Sequence, residues 1–89
     1  MNLSIEPLSS RHFGETRLAL AQGAFAKGDV MRAQQEARAA LKAQPDSELA
    51  ALTLAQVTPD KDSAARALAE FVDANPKARE ARLAYARML

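Results

Sequence analysis

The sequence contains no cysteine, which excludes a disulfide framework, zinc sites with thiolate ligands and thiol chemistry. Its single histidine, His12, has no second histidine with which to complete a metal site or a catalytic base. The three glycines are isolated in sequence, so no glycine-rich phosphate-binding loop is present. We therefore expect no catalytic residue, no metal and no cofactor, and we predict that the protein is not an enzyme.

The charge balance also lacks an excess of either sign, with 12 Lys and Arg against 11 Asp and Glu, and aromatic residues make up only 4%. Both features argue against a nucleic-acid-binding surface. No apolar run approaches the roughly 18–20 residues of a membrane-spanning helix. The first seven residues lack the basic and apolar regions of a signal peptide. This favours the cytoplasm, and the periplasm stays open if the chain is a fragment of a lipoprotein.

Alanine-rich, helix-favouring segments dominate the rest of the chain, in which 48% of residues are hydrophobic and only four are proline. Residues 1–13 have scattered apolar positions without helical spacing, so we predict an irregular or extended lead followed by a helical domain over residues 14–89. Helix boundaries are indicated by Gly28, which suits a C-cap, by Asp29, which suits an N-cap, and by Thr58, which suits a later cap. Four breaks thus predict five helices, and they fall at 28–29, 45–47, 58–60 and 75–76.

Internal repetition supports this division of the chain. The segments at 16–22, 50–56 and 81–87 align with one another, the first two offset by 34 residues and the last two by 31. Pro45 and Pro76 are also 31 residues apart. A helix pair repeated at such a period indicates an array of similar structural units.

With these residues the chain resembles the tetratricopeptide repeat family. The matching positions of the first unit are Leu20–Ala21, Gly28–Asp29, Ala33, Ala40–Leu41 and Pro45. Arg17 stands where the family has an aromatic residue, and the second unit is three residues shorter. The resemblance implies an all-α, right-handed helical-hairpin solenoid of two repeats plus a terminal helix. It also implies a non-catalytic scaffold or adaptor, and the alanine-rich, arginine-over-lysine composition is typical of bacterial repeat proteins.

In this family the first helix of each unit lines the concave face, where peptides bind. Leu18, Leu52 and Leu83 recur at one place in the three units, and a recurring leucine on a wet face suggests that something covers it. We predict a groove for a peptide or helix of a partner protein. Two alternatives stay open: Leu3, Ile5 and Leu8 of the lead fill the groove, or the repeats pack too tightly to leave one. The predicted groove residues are Leu18, Gln22, Phe25, Leu49, Leu52, Gln56, Leu83 and Arg87.

The last helix suggests a second kind of interaction. It ends the chain with apolar residues that no following helix covers, which predicts either a homodimer or a segment of a longer array. The predicted self-association face consists of Tyr85, Met88 and Leu89. The arginines Arg17, Arg79, Arg82 and Arg87 are interpreted as surface residues paired with Glu15 and Glu80, and a patch for an acidic peptide or a phosphate is the alternative.

Overall fold

The computed structural model describes the backbone from Ile5 to Leu89 and the side chains from Thr16 onwards. This part of the chain is all helical and contains no strand, which confirms the predicted all-α class and the number of helices. The helices are α1 (Ile5–Ala26), α2 (Val30–Ala43), α3 (Glu48–Gln56), α4 (Lys61–Ala74) and α5 (Arg79–Met88).

Helix α1 begins at Ile5, nine residues before the predicted start of the helical domain at residue 14. The irregular lead is therefore wrong from Ile5 to Phe13, while residues 1–4, including Leu3, lie outside the described residues. The reason is the place of Pro7, the third residue of the helix. The first four N–H groups of a helix have no intrahelical acceptor, so a proline there removes no hydrogen bond. The side chains of Ile5, Leu8 and His12 lie outside the described part.

The junction between α1 and α2 follows the prediction. Gly28 has φ +87°, a conformation that side chains with a Cβ rarely adopt. Its N–H donates to the carbonyl of Phe25 at 3.0 Å, and the N–H of Asp29 donates to that of Ala24 at 2.8 Å, which together form a Schellman motif. The Asp29 carboxylate then accepts from the Arg32 N–H at 3.2 Å and caps α2.

The later junctions use different capping groups. Ser47 Oγ accepts from the Ala50 N–H at 3.1 Å at the start of α3, and Asp60 Oδ2 accepts from the Ser63 N–H at 3.1 Å at the start of α4. The predicted cap at Thr58 is wrong, because its hydroxyl instead donates back to the Leu54 carbonyl at 2.6 Å. Ala78 begins α5 without a side-chain cap.

Each helix contacts the next one along the chain, and α3 additionally contacts both α1 and α5. The odd-numbered helices therefore form one contiguous row, and each even helix lies against two odd ones. The Cα atoms span only 15 Å in the shortest dimension. This is about the thickness of two helix layers whose axes are 8–10 Å apart.

The core is built from small side chains, as the composition predicted. Ala33, Ala37 and Ala40 form the predicted buried stripe of α2. Leu68 and Phe71 supply the larger groups between α3, α4 and α5, and the neighbouring Val72 is half-buried. Three apolar clusters fill the interior, and Leu41 packs against all three. It thereby joins both ends of the described core.

Candidate functional site

The leucines that recur at one repeat position differ widely in exposure. Leu18 is 6% exposed and belongs to a buried cluster with Ala40 and Ala50. Leu52 is half-buried, and Leu83 is 55% exposed. The prediction of one uniformly exposed leucine row is therefore wrong. Leu18 is a core residue, and only Leu83 has the exposure that contact with a partner requires.

Contacts between the odd helices explain this gradient. Leu18 of α1 packs with Ala50 of α3, and Leu52 of α3 packs against the cluster that contains Ala81 of α5. At each step the leucine is covered by the next odd helix. Leu83 lies on α5, after which the described chain contains no further helix. The recurring leucine is thus a helix-packing residue whose exposure depends on its place in the series.

At a second repeat position the most exposed residue lies on the first odd helix rather than on the last. Leu20, expected to fill a gap between neighbouring helices, is 44% exposed, whereas Leu54 at the matching position is buried against α1 and α2. Tyr85, which takes this place in α5, is half-buried against the cluster around Phe71. Leu20 and Leu83 therefore mark opposite ends of the row of odd helices.

The remaining residues of the predicted groove all lie exposed on odd helices. Phe25 is 38% exposed and Leu49 is 56% exposed, so each offers apolar surface to a partner. Gln22, Gln56 and Arg87 are exposed polar residues of α1, α3 and α5. The odd helices thus present separate exposed groups, while Leu18 and Leu52 hold the same helices together.

The predicted self-association face is also only partly exposed. Tyr85 and Met88 are half-buried and pack against the cluster of Leu68, Phe71 and Ala81. The preceding helices therefore cover part of both side chains, and no helix follows α5 in the described chain. Leu89, at 84% exposed, is the one member of the predicted face that lies largely in solvent.

A shallow cleft of about 350 Å³ lies on the side of α5 that carries Leu83. We call this surface the end face, and it consists of Arg79, Arg82, Leu83 and Ala86. The Arg82 guanidinium donates to the Pro76 carbonyl at 3.4 Å, which holds it near the start of the helix. The end face therefore combines a small apolar centre with two cationic groups.

The α3–α5 contact positions this face. Glu48 Oε2 accepts from the backbone N–H groups of Glu80 at 2.7 Å and Ala81 at 3.0 Å, in place of a cap at Ala78. Asn75 Nδ2 donates to the Pro45 carbonyl at 3.2 Å, and this bond joins the turn before α5 to the turn before α3. Because the start of α3 binds the start of α5, the two helices run in the same direction.

A larger cleft of about 420 Å³ lies between α2 and α4 and was not predicted. Leu41 and Phe71 contribute to its apolar floor, Arg38 and Lys42 line it from α2, and Glu70 lines it from α4. The sequence indicates which side of each helix is apolar. It does not give the distance between two helices that are not consecutive, and this distance creates the cleft.

Arg17 has a partner that the sequence analysis did not identify. Its Nη1 lies 2.9 Å from Glu36 Oε1, and Arg32 Nε lies 3.8 Å from the other oxygen of the same carboxylate. Glu36 has a side chain only 13% exposed, so this ion pair joins α1 to α2 in a partly dry environment. Arg17 therefore contributes to the packing of α1 against α2.

No family model matches the chain, and no similar protein was found among curated proteins or solved structures. Within residues 5–89, no helix is both long and apolar enough to cross a membrane. Among the side chains that the structure describes, no group of three or more His, Asp or Glu is placed to hold a metal ion.

Proposed function

We propose that the protein is a non-catalytic interaction scaffold, a right-handed solenoid of tetratricopeptide-like helical hairpins that binds a peptide or helix of a partner protein. Two observations support the architecture. The sequence repeats at offsets of 34 and 31 residues, and each odd helix contacts the next odd helix as well as its own neighbours. Binding takes place on the exposed sides of the odd helices.

The observation that carries the proposal is the exposure of Leu83. At the matching place Leu18 is buried and Leu52 is half-buried against the next odd helix, and Leu83 is left 55% exposed on the end face. Full burial of a leucine contributes about 1.5–3 kcal/mol, so covering the exposed half contributes about 1 kcal/mol. Phe25, Leu49 and Leu89 provide further apolar surface along the odd helices and at the chain's end.

Selection from a displayed peptide library against the full chain tests this function. We expect enriched peptides that bind the wild type and lose binding to Leu83→Asp. The matched control is Met31→Asp, because Met31 is 73% exposed on the even helix α2. Circular dichroism must show equal helicity for all three proteins. Equal binding to wild type and Leu83→Asp, or no enrichment at all, would contradict binding at this place.

Self-association, or continuation into a longer array, is the competing candidate, and it would use Leu83 and Leu89. Light scattering over a concentration series separates the two candidates. A concentration-dependent mass that Leu89→Glu abolishes supports self-association, whereas a constant monomer mass supports an external partner. Leu89 is the appropriate position, because Tyr85 is half-buried and Tyr85→Glu would place a charge against the core.

A further inference from the structure

We propose that the end face of α5 receives an acidic amphipathic helix that runs antiparallel to α5. This inference rests on the proposed function and specifies the chemistry and direction of the partner. It follows from the α3–α5 interface of the same chain. There, α3 contacts α5 with four residues that lie 31 positions before the four residues of the end face. These residues are Glu48, Ala51, Leu52 and Ala55.

The apolar centre of that interface is preserved on the end face. Leu52 corresponds to Leu83 and Ala55 corresponds to Ala86, and both Leu52 and Ala55 pack against the cluster that includes Ala81. An apolar side chain of a partner helix therefore has a matching place against Leu83. The size of the cleft, about 350 Å³, suits a side chain or two rather than a folded domain.

The residues beside this apolar centre differ in charge and size between α3 and the end face. Glu48 is replaced by Arg79, and Ala51, which is 2% exposed and lies between helices, is replaced by Arg82. The sequence of α5 contains three arginines and one glutamate. A partner helix with carboxylates beside its apolar stripe would pair with Arg79 and Arg82, whereas a cationic helix would be repelled.

The direction of the partner helix follows from the presence of Arg79 at the position that corresponds to Glu48. Glu48 is favourable at the start of α5, because its carboxylate accepts from free N–H groups and a helix N-terminus carries a partial positive charge. Arg79 in the corresponding place is unfavourable beside an N-terminus. It is favourable beside a C-terminus, where carbonyl groups are free to accept. The partner helix is therefore antiparallel to α5, whereas α3 runs parallel to α5.

Charge also disfavours two surfaces of a second copy as occupants, namely its own end face and the exposed side of its α1. Two end faces in contact would bring Arg79 and Arg82 of each copy together. The exposed side of α1 around Leu20 forms another shallow cleft, but it is lined by Lys27 and Arg32 against Asp29 alone. Neither surface supplies the excess of carboxylates that the end face requires.

Two synthetic helical peptides of about 18 residues, or roughly five turns, test the charge preference. Both carry the same leucine stripe, and one has glutamates and the other lysines beside it. Fluorescence anisotropy with the full chain should show at least about tenfold tighter binding of the acidic peptide at low salt, with a smaller difference at high salt. Arg79→Glu with Arg82→Glu should remove or reverse the preference.

Arg38→Glu is the matched control, because Arg38 lines the α2–α4 cleft and is remote in sequence from the end face. It should leave the preference unchanged. A loss of acidic-peptide binding in Arg38→Glu but not in the α5 variant would place the peptide between α2 and α4 and overturn the inference. Equal binding of both peptides would also overturn it, while Leu83-dependent peptides from the library would still support the proposed function.

A spin label tests the direction. The chain has no cysteine, so Lys77→Cys gives a single attachment point just before α5. With an isotopically labelled acidic peptide, we expect paramagnetic broadening to be strongest at the peptide's C-terminal residues. Strongest broadening at its N-terminal residues would overturn the antiparallel arrangement. Failure of the acidic peptide to bind at all would overturn the whole inference, and the library selection would decide separately on the proposed function.

Discussion

The carboxylate of Glu48 in α3 accepts a hydrogen bond from the backbone N–H of Glu80 in α5, with 2.7 Å between Oε2 and the amide nitrogen. A second bond of 3.0 Å reaches Ala81. A serine at position 78 would satisfy the second of these N–H groups, as Ser47 does with the Ala50 N–H of α3. Because Ala78 lacks a side-chain acceptor, α5 obtains its cap from α3. The same bonds fix the register of the two helices and the orientation of the end face.

Glu48→Ala should destabilise the protein by about 1–2 kcal/mol, because it leaves two N–H groups at the start of α5 without their charged acceptor. Urea unfolding followed by circular dichroism measures the loss. Hydrogen exchange should accelerate first at the N–H groups of Glu80 and Ala81. Asp46→Asn removes a nearby exposed charge without a cap, and it should change stability by less than about 0.5 kcal/mol.

Ala78→Ser provides a rescue of the same defect. Ala78 has φ −75° and ψ 95°, close to the φ −79° and ψ 108° of Ser47, so a serine there has the backbone conformation of a cap. Added to Glu48→Ala, it should recover about half or more of the lost stability. A loss in Glu48→Ala that Ala78→Ser leaves unchanged would mean that Glu48 acts through something other than capping.

Truncation of the recurring leucines should reproduce their order of burial. Leu18→Ala should cost about 2–4 kcal/mol, since it opens a cavity beside Ala40 and Ala50. Leu83→Ala should cost less than about 0.5 kcal/mol, and Leu52→Ala should fall between them. Chemical denaturation of the three variants measures the series. Similar costs at all three positions would contradict the gradient.

The sequence was sufficient to predict the local features of the fold. Gly28 with Asp29 identified one helix junction, and the alanines of α2 identified its buried side, because these signals depend on backbone conformation and helical periodicity within one segment. The start of α1 was missed for a related reason. Pro7 lies in the segment that was predicted to be irregular, although a proline costs little within the first turn of a helix.

The candidate site was harder to predict because it depends on contacts between distant segments. Leu18, Leu52 and Leu83 are equivalent in the repeat, yet their exposure is decided by whether another odd helix follows. The link from Glu48 to Glu80 spans 32 positions and has no local sequence signal. One sequence-level clue was available: comparing the repeats at offset 31 places Arg79 against Glu48, which indicates that the last unit differs in its outward contacts.

Gly23 within α1 and Gly28 in the turn that follows it should respond oppositely to alanine. Gly28 has φ +87°, so Gly28→Ala should cost about 1 kcal/mol through backbone strain. Gly23 is within α1 and a Cβ there would meet nothing within 4 Å, so Gly23→Ala should stabilise by about 0.5–1 kcal/mol. Thermal unfolding measures both. Equal effects in the two variants would contradict the Schellman geometry at Gly28.

The cap of α4 predicts a specific acid titration. The hydroxyl of Ser63, 2.6 Å from Asp60 Oδ2, lowers the pKa of Asp60 below its ordinary 3.8, with smaller contributions from the Ser63 N–H and the charge of Arg66. A carboxyl whose pKa is depressed by folding contributes stability above its unfolded pKa. That contribution is lost as the pH falls through the folded pKa. The cap of α4 should therefore weaken only on the acid side of 3.8.

Ser63→Ala isolates the main cause of this shift, since it removes the hydroxyl and leaves the backbone N–H bond at 3.1 Å. NMR titration of the Asp60 carboxyl should show a pKa that rises part of the way towards 3.8. Ser47→Ala is the matched control, because Ser47 caps α3 and is not a partner of Asp60. An unchanged pKa in Ser63→Ala would assign the shift to the backbone bond and to Arg66 instead.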